Sequence, residues 1–501
     1  MNLAKTSFWI TLLLVVGYII AFVKESFIAN YFGVSNFVDA YNIAIQIPVI
    51  IFSFVSVAIK SVVIPVYSDI YYNKSIQEAN KFASSFITLN ILIACAIFFI
   101  GETLAGPCIY LFAPGFDAST HDIAVSLLRI TFPTIVFTVV TDIITGILNV
   151  HKKLVLPCAA VYLLQLSVIL MIVFFHAKWG ISAACIGQVV GSILQMTYLY
   201  VIARKIYQYR IQTNFKNVEV VKALKMSGPV IWGISIAEVN AMINRMVGSF
   251  LFVGSISALG YAGKINSVFL AFCVNAISIV VFPLYAEASA KNDMAQLNRR
   301  VNFTLTVNVL LLMPLMCLVF CLREEIIEVA FARGAFDKNA VTLTQGILGC
   351  YTIGLLFSAF RETLTKVFYS MKNTSVVAKN ATMGVLLNIA LNLSLPWFLG
   401  VKGLALGASC SVMFISIRLL WLLTQKVENI KLSYFYKNLK VLLFASTLVF
   451  IILFFFRNYA LNMTAIIRLG LATVITVFVY SSVLLFAKPD VVCDILKYVK
   501  K

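Results

Sequence analysis

Residues 13–33 read LLVVGYIIAFVKESFIANYFG, an apolar run broken at its centre by Lys24 and Glu25. Eight basic and five acidic side chains fall inside apolar stretches of this kind. They are Lys24, Lys60, Arg129, Arg245, Lys264, Arg361, Lys366 and Arg418, with Glu25, Asp39, Asp142, Glu238 and Glu362. A charge at the centre of a bilayer costs about 2.5–3.5 kcal/mol on insertion scales, so such residues face a bundle interior or a wet cavity. Cations gathered in that setting hold a pyrophosphate as point charges and through several hydrogen bonds. Acidic neighbours keep the cations oriented and are candidates to bind a coupling Na⁺ or H⁺.

The expectations differ from residue to residue. Lys366 and Arg418 lie near cytoplasmic helix ends and can snorkel to the interface. Arg129, toward an outer end, fits snorkelling or a structural ion pair. Glu238 and Arg245, seven apart, share one helix face and read as a structural pair or a gate. Asp142 and Arg361 or Glu362 occupy equivalent places in the two halves of the chain, with the same two readings. Lys24 with Glu25 sits within one span and Lys264 about ten residues into another. These two lysines are the candidates for meeting a phosphorylated ligand from a wet cavity.

Other chemistries lack their residues. The three histidines (His121, His151, His176) lie far apart and form no HExxH motif. The ten cysteines are scattered through apolar segments without a CxxC pair, as small packing residues are. No metal site and no resident cofactor is expected. There is no GxxxxGK[ST] stretch to hold ATP, so energy has to come from an ion gradient, the membrane potential or the substrate gradient. An ion channel needs rings of like residues, which one asymmetric chain does not readily supply.

The elements that must position these charges follow from composition. Of 501 residues 61% are hydrophobic and 12% charged, against about a quarter charged in a soluble protein. Apolar runs of roughly 20 residues, enough to cross a hydrocarbon core, start near Phe8, Phe37, Phe82, Ile123, Val155, Ile181, Val230, Ile256, Phe303, Val341, Val376, Gly403, Leu439 and Ala465. The fold class is therefore an all-α polytopic membrane protein of about 14 transmembrane helices. A β-barrel would show shorter strands with period-two alternation. The first run is too long for a signal h-region and has no small-residue cleavage site.

The net charge of +19 is distributed as topology requires. With a cytoplasmic N-terminus, 24 of the 39 Lys and Arg fall in inward loops and tails and 7 in outward loops. That asymmetry puts both termini in the cytoplasm. The richest inner loop, ARKIYQYRIQTNFKNVEVVKALK (203–225), suits anionic lipid head groups. A nucleic-acid partner is not expected.

The chain also repeats itself at an offset of about 220 residues. VVIPVYSDIYYNKSIQEANKF (62–82) matches IVVFPLYAEASAKNDMAQLNRRVNF (279–303), pairing Pro65 with Pro283, Tyr67 with Tyr285 and Asp69 with Glu287. LFAPGFDAS (111–119) resembles VAFARGAFDKN (329–339), and KWGISAACIGQ (178–188) resembles VKGLALGASCS (401–411). TDIITGILNVHKK (141–153) resembles RETLTKVFYSMKN (361–373), with Asp142 opposite Glu362 and Lys152 opposite Lys372. The expected organisation is two parallel six-helix bundles, residues 1–205 and 226–425, joined by a basic linker at 206–225. Two additional spans and a tail follow in 426–501. Such a duplication suits a transporter whose site lies between two bundles that rock against each other.

The 14-helix plan, the duplicated Pro-x-Tyr-x-acidic segments, FARGAFD (331–337) and KVFYSMKNT (366–374) resemble the MviN/MurJ family of lipid II flippases. That family belongs to the multidrug/oligosaccharidyl-lipid/polysaccharide exporter superfamily, and the likeness covers nearly the whole chain. It implies alternating-access transfer of undecaprenyl-pyrophosphate-linked peptidoglycan precursor from the inner to the outer leaflet of the cytoplasmic membrane. The implied partners are that lipid-linked saccharide, membrane lipids and cell-wall synthases, with the chain acting as a monomer and not as an enzyme. Family members carry basic residues in helices 1, 2 and 8. Their Arg-Asp pattern on helix 1 becomes Lys24-Glu25, the aspartate opening helix 2 is Asp39, and the basic residue of helix 8 becomes Lys264. The final two helices, 437–487, would form the groove that accepts the lipid tail.

At the place of the family's helix 2 arginine this chain has IIFSFVS (50–56), and Lys60, about two turns later, is the candidate replacement. A flippase for another polyprenyl-linked glycan of capsule or O-antigen type is the alternative reading. A drug/cation antiporter would favour an acidic, aromatic pocket, whereas the central charges here lean basic. A membrane glycosyltransferase generally needs a larger outer loop than this chain has.

Overall fold

A computed structural model describes residues 3–58, 64–212, 238–426, 431–460 and 462–499. Among the described residues every regular element is helical. In hydrocarbon each backbone N–H and C=O must find its partner inside the protein, and a helix achieves this within one segment. Twelve helices among the described residues are long and apolar enough to cross a membrane. A thirteenth span is the pair Ala118–Thr131 and Thr134–Val150, bent by 42°. The bend falls at Pro133, whose ring displaces the i−4 carbonyl and removes one backbone donor. These thirteen correspond to thirteen of the fourteen expected runs. The remaining one, expected from near Val230, lies largely outside the described residues, and only its end at 238–249 is seen as helix.

The helices fall into two compact units, Met1–Ser257 and Ala258–Lys501. In the first, Val155–Trp179 packs along Ser182–Ala203 and also against Leu3–Phe32, while Asn36–Ala58 lies on Ala118–Thr131. Glycines allow the closest of these approaches. Gly187 and Gly191, four apart on Ser182–Ala203, face Val155–Trp179. A Cβ added at either would stand 2.7 Å from the Cα of Val168 or Leu164 respectively. Lipid tails are as apolar as leucine, so backbone proximity and dispersion, rather than the hydrophobic effect, hold such helix pairs together.

In the second unit Lys338–Ser370 packs on Val401–Lys426, and Met294–Cys321 packs on Ser433–Tyr459, which in turn meets Ala465–Ala487. One end of this unit carries an ionic cluster. Glu325, completely buried, accepts from Arg468 Nη1 at 2.8 Å and lies 3.9 Å from Arg457 Nε. Arg457 Nη2 also donates to Glu324 at 2.6 Å. The short helix Arg323–Phe331 is thereby tied to the end of Ser433–Tyr459 and the start of Ala465–Ala487.

The internal repeat appears in backbone angles as well as in sequence. Lys152 and Lys372 both take left-handed φ values, 59° and 58°, in turns closed the same way. Asp117 and Asp337, again 220 apart, each cap the N-terminus of a span, and Gly180 and Gly400 end helices at φ 53° and 57°. At Asp117 the hydroxyls of Ser119 and Thr120 donate to the carboxylate and hold its pKa down at about 2.

Two outcomes test this packing. Gly191→Val should destabilise the first unit by about 1–3 kcal/mol through overpacking, read as a lowered Tm in detergent. Glu325→Ala should cost about 3 kcal/mol, because two guanidinium groups lose the buried carboxylate that neutralises them. An unchanged melting profile for Glu325→Ala would show that the cluster contributes nothing to holding the two final spans.

Candidate functional site

Three helices of the first unit bring a buried group of side chains together in its interior. Leu3–Phe32 supplies Lys24 and Glu25, Asn36–Ala58 supplies Asp39 and Tyr41, and Ser182–Ala203 supplies Cys185. Lys24 Nζ lies 3.1 Å from Glu25 Oε1, and the two residues are only 6% and 8% exposed. Adjacent helical residues point about 100° apart, so the pair closes only because the lysine stem is long enough to fold back. Tyr41 is fully buried within electrostatic reach of both charges, and its hydroxyl has no hydrogen-bond partner among the described residues. The result is a buried ion pair beside a hydroxyl that has no partner among the described residues. The expected lysine is in place, but here its ammonium is enclosed by side chains rather than bathed by water.

Asp39, at the start of its helix, is held by backbone groups. Its two carboxylate oxygens accept from the amides of Gly254 and Ser257, each at 2.7 Å. These amides belong to the N-terminus of Ser255–Leu270, where unpaired N–H groups and the helix dipole favour an anion. Gly254 is required in that turn. Its φ is +92°, and a Cβ would come within 2.4 Å of Val34 Cγ1.

The remaining expected residues are accounted for one by one. Lys264 is exposed further along Ser255–Leu270, and Lys60 lies outside the described residues. Glu238 and Arg245 feel each other electrostatically but form no ion pair within 4.0 Å; Arg245 donates instead to the Ala241 carbonyl at 3.0 Å. Seven residues is two turns, a rise of roughly 10 Å, so a shared face does not bring these side chains into contact. Asp142 accepts a hydrogen bond from the Ser56 hydroxyl. Glu362 pairs with Lys366 at 3.3 Å, and Arg361 is exposed. Arg129 meets Glu102 at 3.5 Å, and Arg418 donates to Asn380 at 2.9 Å, a partner that snorkelling does not require.

Two polar assemblies escaped the sequence reading. One is the Glu325 cluster, whose partners stand 132 and 143 residues away. The other is a cavity of about 900 Å³ at the start of Met294–Cys321, bordered by Arg299 and Lys431. In the sequence these residues were only loop charges, counted for topology.

Replacing Asp39 by Ala leaves two buried amides without an acceptor, at a cost of about 1–3 kcal/mol. Asp39→Asn keeps one acceptor and should lose less. Thermal melting of the two purified variants checks the order; equal Tm values for both and for the parent chain would rule out the cap.

Comparison with known proteins bears on what these groups serve. A sequence profile of the family described as Lipid II flippase MurJ matches residues 28–480. A probable lipid II flippase MurJ of Buchnera aphidicola subsp. Schizaphis graminum is 26% identical over 464 residues, covering 91% of this chain and 90% of the relative. One from Rickettsia prowazekii is 26% identical over 470 residues, 92% of each chain. A solved structure of lipid II flippase MurJ in an inward closed conformation superposes with a TM-score of 0.83 at 27% identity, over 96% of this chain and 98% of that one. A multidrug resistance MATE family transporter of the MOP superfamily shares the fold at a TM-score of 0.67 and 10% identity, covering 81% and 93%. With a profile match running through both units, the conclusion is direct: this multi-pass membrane chain belongs to the MurJ family of lipid II flippases.

Proposed function

We propose that this chain carries lipid II, the undecaprenyl-pyrophosphate-linked peptidoglycan precursor, from the inner to the outer leaflet of a bacterial cytoplasmic membrane by alternating access. The observation that carries the reading is the buried Lys24–Glu25 pair, a cation kept neutral inside an apolar helix. A purely structural lysine gains nothing there that leucine would not provide more cheaply. A pyrophosphate, with more charge and more acceptor oxygens than one carboxylate, competes with Glu25 for the ammonium. Substrate then opens the pair, and Lys264 supplies a second cation for the same group.

Glu25, the carboxylate beside Lys24, is the candidate to bind a coupling Na⁺ or H⁺ when that pair opens. In this reading both termini are cytoplasmic, in keeping with the distribution of Lys and Arg. The halves 1–205 and 226–425 rock against one another, and the spans of 426–501 receive the polyprenyl tail. The chain works as a monomer beside the synthases that consume its cargo.

The test is replacement of the resident lipid II flippase in a depleted bacterium, following survival together with lipid II accessible at the outer surface. The parent chain should restore both. Lys24→Ala should insert normally yet lose more than about tenfold in transport, the equivalent of one charge-assisted phosphate contact of roughly 1.5–3 kcal/mol. Lys24→Arg should retain most of it. Rescue by Lys24→Ala would remove the lysine from the mechanism. Failure of the well-inserted parent chain would sink lipid II as the cargo and leave another polyprenyl-linked glycan.

A further inference from the structure

The second unit holds a cavity of about 900 Å³ whose walls are of two kinds. Arg299 and Lys431 supply its cations, and Leu284, Phe303 and Ile495 are among its apolar lining. Four helices build it, with Lys431 just ahead of the third: Ala276–Ala290, the first turns of Met294–Cys321, the first residues of Ser433–Tyr459, and Asp490–Val499. Met294–Cys321 and Ser433–Tyr459 are membrane-crossing helices at their starts, which places the cavity at the depth where a bilayer passes from acyl chain to head group.

The walls are held in place independently of any ligand. Asn302, buried, donates to the Lys431 carbonyl at 2.9 Å and fixes the chain leading into Ser433–Tyr459. Tyr434 donates to Asp494 at 3.0 Å, and the Val491 amide donates to Asn438 at 3.1 Å, so Asp490–Val499 is docked rather than trailing. Lys437 and Asp490 pair at 2.8 Å on the same seam. Arg300 is occupied by Glu287 at 3.3 Å. Arg299 and Lys431 are exposed, and no carboxylate among the described residues lies within salt-bridge distance of either.

We propose that this cavity binds the phosphate head group of an anionic glycerophospholipid, with its acyl chains along the apolar wall. Two cations without a carboxylate partner among the described residues offer charge complementarity to one phosphodiester. The apolar side chains beside them distinguish a lipid from a soluble phosphate, which has no use for such a wall. Asp494 borders the cavity as well, and as an acceptor already engaged by Tyr434 it faces a glycerol hydroxyl better than a phosphate. The bound lipid would brace Asp490–Val499 against Met294–Cys321 and Ser433–Tyr459. The site is separate from Lys24 and Glu25, so it stands whatever cargo the transporter carries.

The experiment uses the full chain in a neutral detergent with short-chain phosphatidylglycerol as the probe, read by native mass spectrometry and by the shift in Tm. The parent chain should bind one probe saturably, with dioctanoyl phosphatidylcholine and inorganic phosphate at the same concentration at least about tenfold weaker. Arg299→Gln with Lys431→Gln should weaken the probe about tenfold or more, each cation near a lipid phosphate contributing on the scale expected of a juxtamembrane Lys or Arg. Arg333→Gln with Lys338→Gln removes the same charge elsewhere in the unit and should leave binding unchanged. Should the first double variant fold poorly, Lys431→Gln alone, an exposed side chain, must still show at least a threefold loss. Equal binding by both double variants would overturn the site as mere net charge. Equal displacement by inorganic phosphate would overturn the lipid and assign a soluble phosphate ligand in its place.

Discussion

A charge inside an apolar helix has to be neutralised where it stands, and this constraint organises the interior of the protein. Lys24 and Glu25 meet it within one helix, at 3.1 Å, almost wholly out of solvent. Asp39 meets it with two backbone amides, and Glu325 with two guanidinium groups from different helices. The three solutions differ in how readily they can be exchanged. Amides at a helix terminus move only with the helix, and the Glu325 cluster moves only with two spans. A lysine folded back on its neighbour can let go by turning its own side chain. Of these three, the contact between Lys24 and Glu25 is the one made by side chains of a single helix.

The same economy governs the packing. Within a bilayer the helices gain little from excluding water, so contact depends on how closely backbones approach. Gly187 and Gly191 let Ser182–Ala203 lie almost directly on Val155–Trp179. Elsewhere buried hydroxyls and carboxamides do the joining, as where Asn308 donates to Thr363 at 2.9 Å and Asn380 to the Ile415 carbonyl at 3.0 Å. Proline enters these helices at Pro48 and Pro314 without breaking them, since neighbouring helices can satisfy the carbonyl each one releases.

The two halves share local backbone geometry more closely than they share polar contacts. Turns at Lys152 and Lys372 keep a left-handed lysine where glycine would be easier, at a cost of about 1–2 kcal/mol per non-glycine residue. The charges around those turns, by contrast, have diverged in use. Asp142 receives a serine hydroxyl, while Glu362 at the equivalent place pairs with Lys366 on its own helix. Backbone framework and polar chemistry have thus been varied separately.

The amino-acid sequence by itself determined the spans, their approximate number, the repeat and the unusual place of Lys24 and Glu25. Each of these is written in short-range pattern: apolar length against bilayer thickness, recurring Pro, Tyr and Gly-Phe-Asp, and two charges side by side. Only the tertiary structure decided what Asp39 binds, that Glu238 and Arg245 stand too far apart to pair, that Glu325 joins three helices, and that Arg299 and Lys431 border one cavity. In each case the partners are separated by more than a hundred residues, or by a helical rise that a shared face conceals. Hydrophobic periodicity says which side of a helix is buried, but not which helix covers it, and the chemistry of a buried charge is set by that neighbour.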